Sequence, residues 1–108
     1  MNIELLYFDG CPTHERLLPR LQELLRDLAV ADEVRPIRID SSEAAMEHRF
    51  LGSPTVRIDG HDIDPTAATR TDYGLECRLY ASADGLVGVP PDEMLRAAIV
   101  RARDDACA

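Results

Sequence analysis

Leu17, Leu18, Leu21, Leu24, Leu25 and Leu28 fall at i, i+1, i+4, i+7, i+8 and i+11, a spacing that commits residues 13–29 to a helix with one strongly apolar face. Such a face must be buried against a sheet or another helix. The apolar run at 2–8, closed by Asp9-Gly10, predicts a buried strand directly before it. Pro12 suits the first helical turn, where its missing N–H costs nothing. Pro19 lies further in and predicts a kink.

The remainder of the chain continues the alternation. Residues 34–39 are short and β-branched, and Asp40-Ser41-Ser42 then offers an N-cap for a helix over 43–50. Pro54 opens a strand at 55–58, Asp59-Gly60 is a two-residue hairpin signal, and 61–63 returns. A last helix over 91–103 carries Asp92 and Glu93 in its first turn, with Leu95, Ala98, Ile99 and Ala102 on one face. Between these, 64–72 is polar and predicts a loop. Leu75 to Tyr80 alternates, with Leu75, Cys77 and Leu79 on the apolar face, and a turn at 82–85 precedes 86–89. That stretch predicts an inserted hairpin or an extra edge strand.

The chain has 108 residues, enough for one core and hence one domain. A net charge of −8, with all twelve basic residues arginine, argues against nucleic acid, which selects a basic patch. No stretch reaches the length of a membrane span and no basic-apolar leader opens the sequence, so a cytoplasmic protein without a membrane partner is expected. Cysteines at 11, 77 and 107 fit neither a disulfide scaffold nor a zinc motif. Cofactors are not called for, and oligomeric state is not legible.

Cys11 is the foremost candidate for chemistry. At a helix start it meets unpaired backbone N–H groups and the positive end of the macrodipole, which favour thiolate. A dithiol motif would place a second cysteine at position 14, where the chain has His14. One turn from Cys11, His14 is either a donor to the thiolate and proton shuttle or a solvated first-turn residue. Asp9 is an acid or a turn cap, with the cap favoured. Cys77 is either a core residue of its strand or a second thiol folded back over Cys11, and Cys107 near the end is expected to be incidental. His61, Asp62 and Asp64 look like metal ligands on paper, yet adjacent strand residues point to opposite faces, so a solvated turn is expected.

Four segments carry a resemblance: Phe8-Asp9-Gly10-Cys11-Pro12, Gly52-Ser53-Pro54-Thr55, Tyr73-Gly74-Leu75-Glu76-Cys77-Arg78-Leu79-Tyr80 and Gly88-Val89-Pro90-Pro91. Together they resemble small bacterial thioredoxin-like proteins, which are often labelled thioredoxin family or alkylmercury lyase and include some selenoproteins. The resemblance implies an α/β fold with a βαβαββα core over about 2–63 and 86–103, interrupted by an insertion at about 64–85. It further implies a cis Pro54, with Pro12, Ser53, Pro54 and Thr55 forming a substrate-binding surface beside Cys11. The function implied is that of a thiol-dependent redox protein, of thiol-disulfide oxidoreductase or thiol peroxidase type. Cys11, His14 and Cys77 would be its catalytic residues, and its partner a thiol or disulfide substrate, protein or small molecule. Two alternatives stand beside it: soft-metal or organomercurial handling through Cys11 and Cys77, with His14 or Asp9 as acid, and a noncatalytic binding module.

Overall fold

The computed structural model describes the backbone of residues 1–107 and the side chains of residues 1–105, so the Cys107 thiol lies outside the described residues. Strand β1 (Ile3–Tyr7) leads into helix α1 (His14–Asp27), and strand β2 (Val34–Arg38) returns parallel to β1, pairing Ile3 with Val34 and Tyr7 with Arg38. Helix α2 (Ser42–Glu47) follows, its first turn capped by the Ser41 hydroxyl, which accepts from the Ala44 N–H at 3.0 Å. Strand β3 (Thr55–Ile58) then runs antiparallel to β1 and turns into β4 (His61–Asp62). The result is a mixed four-stranded sheet in the order β2-β1-β3-β4. Pro36 is tolerated in β2 because β2 is an edge strand.

The two-residue period of β1 sorts the core into two halves. Ile3 and Leu5 pack with Leu17, Leu21, Leu24 and Leu25 of α1 and with Leu95, Ala98 and Ile99 of helix α3 (Asp92–Cys107). Leu6 joins Ile39, Ala45 and Phe50 beside α2 on the opposite face. The leucine stripe of α1 therefore lies where its periodicity requires. Among the described residues no helix is long and apolar enough to cross a membrane.

Two turns place the loop that follows α2. Arg49 takes a left-handed φ of 53°, and Phe50 N–H returns to the Ala45 carbonyl at 2.8 Å, so the helix ends abruptly and delivers Leu51-Gly52-Ser53 toward the end of β1. Arg57 of β3 donates to the carbonyls of His48 and Arg49 at 2.6 and 2.8 Å, fastening that helix end to the sheet. Asp59 and Gly60 both have positive φ, as a twisted two-residue hairpin requires.

The insertion departs from expectation in three ways. The polar stretch at 64–72 is not all loop, since Pro65–Thr69 forms a 3-10 helix whose first turn is capped by the Asp64 carboxylate on the Thr66 N–H. The hairpin is β5 (Tyr80–Ser82) with β6 (Gly85–Val87), a separate two-stranded sheet rather than an added edge of the main one. Most consequentially, the inward parity of 75–80 is inverted: Arg78 and Tyr80 are buried, whereas Leu75 and Leu79 are 38% and 55% exposed and Cys77 is exposed with them. Hydrophobicity favoured the odd-numbered face, but Arg78 and Tyr80 have polar partners inside. Replacing Leu79 by Ser is accordingly expected to change stability by no more than about 0.5 kcal/mol. Tyr80→Phe, which leaves a buried carbonyl without its donor, should cost about 1–3 kcal/mol in urea unfolding.

Candidate functional site

Cys11 lies in the tight connection between β1 and α1, its N–H bonded to the Phe8 carbonyl at 3.2 Å, and it is only 2% exposed. Pro12 carries the chain into the helix. Thr13, the N-cap residue, makes no side-chain bond to the helix; its hydroxyl sits 3.2 Å from Cys11 Sγ instead. The thiol also reaches the Ser53 carbonyl at 3.6 Å. The Ser53–Pro54 peptide is cis, and Ser53, Pro54 and Thr55 are all buried rather than open at a surface.

Cys77 reaches Cys11 along the backbone of this loop. Ser53 N–H donates to the Glu76 carbonyl at 2.8 Å, Arg78 N–H donates to the Ser53 carbonyl at 2.9 Å, and Ser53 and Cys77 form a parallel bridge. Cys77 is thereby paired with the residue whose carbonyl lies 3.6 Å from Cys11 Sγ. Gly52 permits this approach. Its φ is 118°, and a Cβ there would stand 3.0 Å from both Arg78 Cβ and the Glu76 carbonyl oxygen.

The two thiols titrate in opposite directions. Burial alone pushes the Cys11 pKa up, but hydrogen bonds from the Cys77 thiol, from the Thr13 hydroxyl and N–H, and from the Ser53 hydroxyl together bring it below the ordinary thiol value. Cys77 is raised, first by its hydrogen bond to Cys11, then by desolvation and by the nearby charge. The Ser53 hydroxyl is fully buried and has no hydrogen-bond partner among the described residues.

An ion pair lies beneath the pair of thiols. Arg78 donates from Nη1 and Nη2 to the two Asp62 oxygens at 2.7 and 2.9 Å and from Nη1 to Thr55 Oγ1 at 3.2 Å, with its guanidinium 4.5 Å above the centre of the Tyr80 ring. Burial works against the Arg78 charge, but the hydrogen bonds to Asp62 hold its pKa above the usual value. The Tyr80 hydroxyl donates to the Pro54 carbonyl, and Thr55 Oγ1 donates to the Gly52 carbonyl at 2.6 Å. Asp62, expected in a solvated turn, is thus the half-buried counter-ion of a buried arginine. Among the described residues no three His, Cys, Asp or Glu side chains converge as a metal site, and His61 is exposed.

The remaining sequence candidates face elsewhere. His14 Nδ1 lies 3.0 Å from the Cys11 carbonyl and its ring stacks on Tyr7 at 4.1 Å, so its contacts are with that backbone and ring rather than with the sulfur. Donation from Nδ1 to the carbonyl leaves Nε2 as the ring's lone pair. Asp9 pairs with Arg38 at 3.1 Å on the surface. Sequence reasoning missed Arg78, Asp62 and Thr13. The signal available for Thr13 was a hydroxyl two residues after a cysteine at a helix start, whereas nothing local marked Arg78 and Asp62 as a pair.

Removal of Cys77 takes a hydrogen-bond donor from the Cys11 thiolate, so Cys77→Ala is expected to raise the Cys11 pKa. In Cys11→Ala the pKa of Cys77 should fall toward that of a free thiol; ultraviolet titration of thiolate absorbance in the two variants reads both shifts. The chain matches no family model, no curated protein and no solved structure.

Proposed function

We propose that this protein is a thioredoxin-like thiol redox protein in which Cys11 is the nucleophile and Cys77 the resolving thiol. The observation that carries the reading is the backbone bridge between Cys77 and Ser53, the residue whose carbonyl lies 3.6 Å from the Cys11 thiol; the lowered pKa of Cys11 and the raised pKa of Cys77 accord with it. The β1-α1-β2 unit, the antiparallel β3-β4 pair and the closing α3, with Cys11 before α1 and a cis-proline before β3, support the thioredoxin-like assignment.

The chemistry follows from the division of labour between the sulfurs. Cys11 is the thiol of lowered pKa and Cys77 the one with solvent access, and attack by Cys11 Sγ on an oxidised sulfur requires a local opening of its buried site. The attack makes a mixed disulfide at Cys11 and releases one thiolate, which takes up a proton. Conversion of Cys11 to the mixed disulfide removes both the hydrogen bond and the charge that raise the Cys77 pKa, and Cys77 then loses its proton, attacks Cys11 Sγ and expels the second thiol. An external thiol reductant of low molecular weight returns the resulting Cys11–Cys77 disulfide to the dithiol.

The organomercurial alternative requires an acid beside the thiol pair to protonate the leaving carbon. His14 and Asp9, the residues available for that role, have their described contacts with the Cys11 carbonyl and with Arg38. The redox reading needs no third group. Mild oxidation followed by non-reducing peptide mapping should give a Cys11–Cys77 crosslink. In Cys77→Ser the same treatment should instead leave Cys11 as a persistent mixed disulfide with the added oxidant. Recovery of an unmodified Cys11 from both proteins would overturn the assignment.

A further inference from the structure

We propose that residues 74–79 are a built-in occupant of the docking lane beside Ser53, and that they restrict Cys11 to low-molecular-weight disulfides while excluding disulfides carried on polypeptides. The inference rests on the redox reading of Cys11 and Cys77 and adds the substrate class.

In a thioredoxin-like site, the residue before the cis-proline is where an extended substrate segment would pair through its main chain. Here that residue is already paired. The single N–H of Ser53 is spent on the Glu76 carbonyl, and the Ser53 carbonyl accepts from Arg78 N–H and from Cys11 Sγ. Gly74 N–H adds a bond to the Phe50 carbonyl at 3.0 Å, so the segment lies along the loop over several residues. A second strand needs its own lane about 4.8 Å from the first. Residues 74–79 fill it.

The occupant is anchored from below. Arg78 points inward to Asp62 and Thr55 with a side chain that is fully buried, and Tyr80 reaches the Pro54 carbonyl one residue along the loop. Displacing the segment would pull a charged guanidinium away from its counter-ion, while a side chain at Gly52 would collide with the same segment. Leu75, Cys77 and Leu79 face outward while Cys11 is buried, so access to Cys11 Sγ is past Cys77, a passage narrow enough to favour a small disulfide.

The step balances as follows. The Cys11 thiolate attacks one sulfur of RSSR, breaking its S–S bond and releasing RS⁻, which is protonated to RSH. Cys77 gives up its proton and attacks Cys11 Sγ, breaking the mixed disulfide and releasing the second RSH. One small disulfide is reduced to two thiols, and the two protein thiols are oxidised to one disulfide.

The test mixes the reduced full-length protein with 2-hydroxyethyl disulfide and, separately, with insulin. Each rate of Cys11–Cys77 crosslinking is normalised to the rate at which free dithiothreitol reduces the same disulfide. Since a polypeptide must first open two main-chain hydrogen bonds at Ser53, the normalised preference for the small disulfide should be on the order of tenfold to a hundredfold. Asp62→Asn and Gly52→Ala, which loosen the segment from opposite sides, should each narrow that preference, with circular dichroism confirming that the variant is folded. Equal normalised rates in the unmodified protein would overturn the occupied-lane inference and leave the redox reading standing. A preference that persists unchanged in a folded variant would also overturn it. Absence of the crosslink with either oxidant would overturn the redox reading, and this inference with it.

Discussion

The buried pair between Arg78 and Asp62 is the constraint on which the site depends. Asp62 comes from β4, at the edge of the main sheet, and Arg78 from the insertion, which has no strand in that sheet, so the pair ties the insertion to the sheet. Removing one partner of such a pair leaves an uncompensated buried charge, a cost of about 3–5 kcal/mol. The geometry offsets the desolvation with a bidentate contact, a third bond to Thr55 and the face of Tyr80. Arg78 Nε is the one donor of the guanidinium left buried without a partner. Fixing Arg78 fixes Cys77, its neighbour, because adjacent residues of an extended segment point to opposite sides.

Backbone satisfaction explains why the loop at 52–55 holds its shape beside the sulfur. The Gly52 carbonyl accepts from Thr55, both polar groups of Ser53 are bonded to 76–78, and the Pro54 carbonyl accepts from Tyr80. Buried main-chain groups require partners, and here side chains and backbone of the insertion provide most of them. The insertion is thus part of the site's scaffold. Within that loop the Ser53 hydroxyl is left buried without a partner.

Much of the scaffold was legible because its signals are local. The leucine stripe of α1, the Ser41 cap, the Asp59-Gly60 turn and the acidic first turn of α3 each depend on residues within a few positions of one another. Cys11 was legible for the same reason, since a helix start is a local feature with an electrostatic consequence. The insertion was not. Its alternation has two faces, and hydrophobicity chose Leu75, Cys77 and Leu79 over Arg78 and Tyr80. What reversed the choice was a carboxylate sixteen residues away and a carbonyl twenty-six away, neither of which any window along the chain contains.

The sequence by itself determined that the chain folds as mixed α/β, that α1 buries its leucine face on β1, and that a thiol stands at the entrance to that helix. Those outcomes follow from periodicity, capping and turn chemistry, which act over a turn or two of chain. Tertiary structure alone decided that Cys77 turns outward and meets Cys11, that Asp62 is a counter-ion, and that Ser53 pairs with the chain's own backbone. Each of these joins groups distant in sequence, and each is governed by the need to partner a buried polar atom, a requirement that exists only once the fold has removed the water.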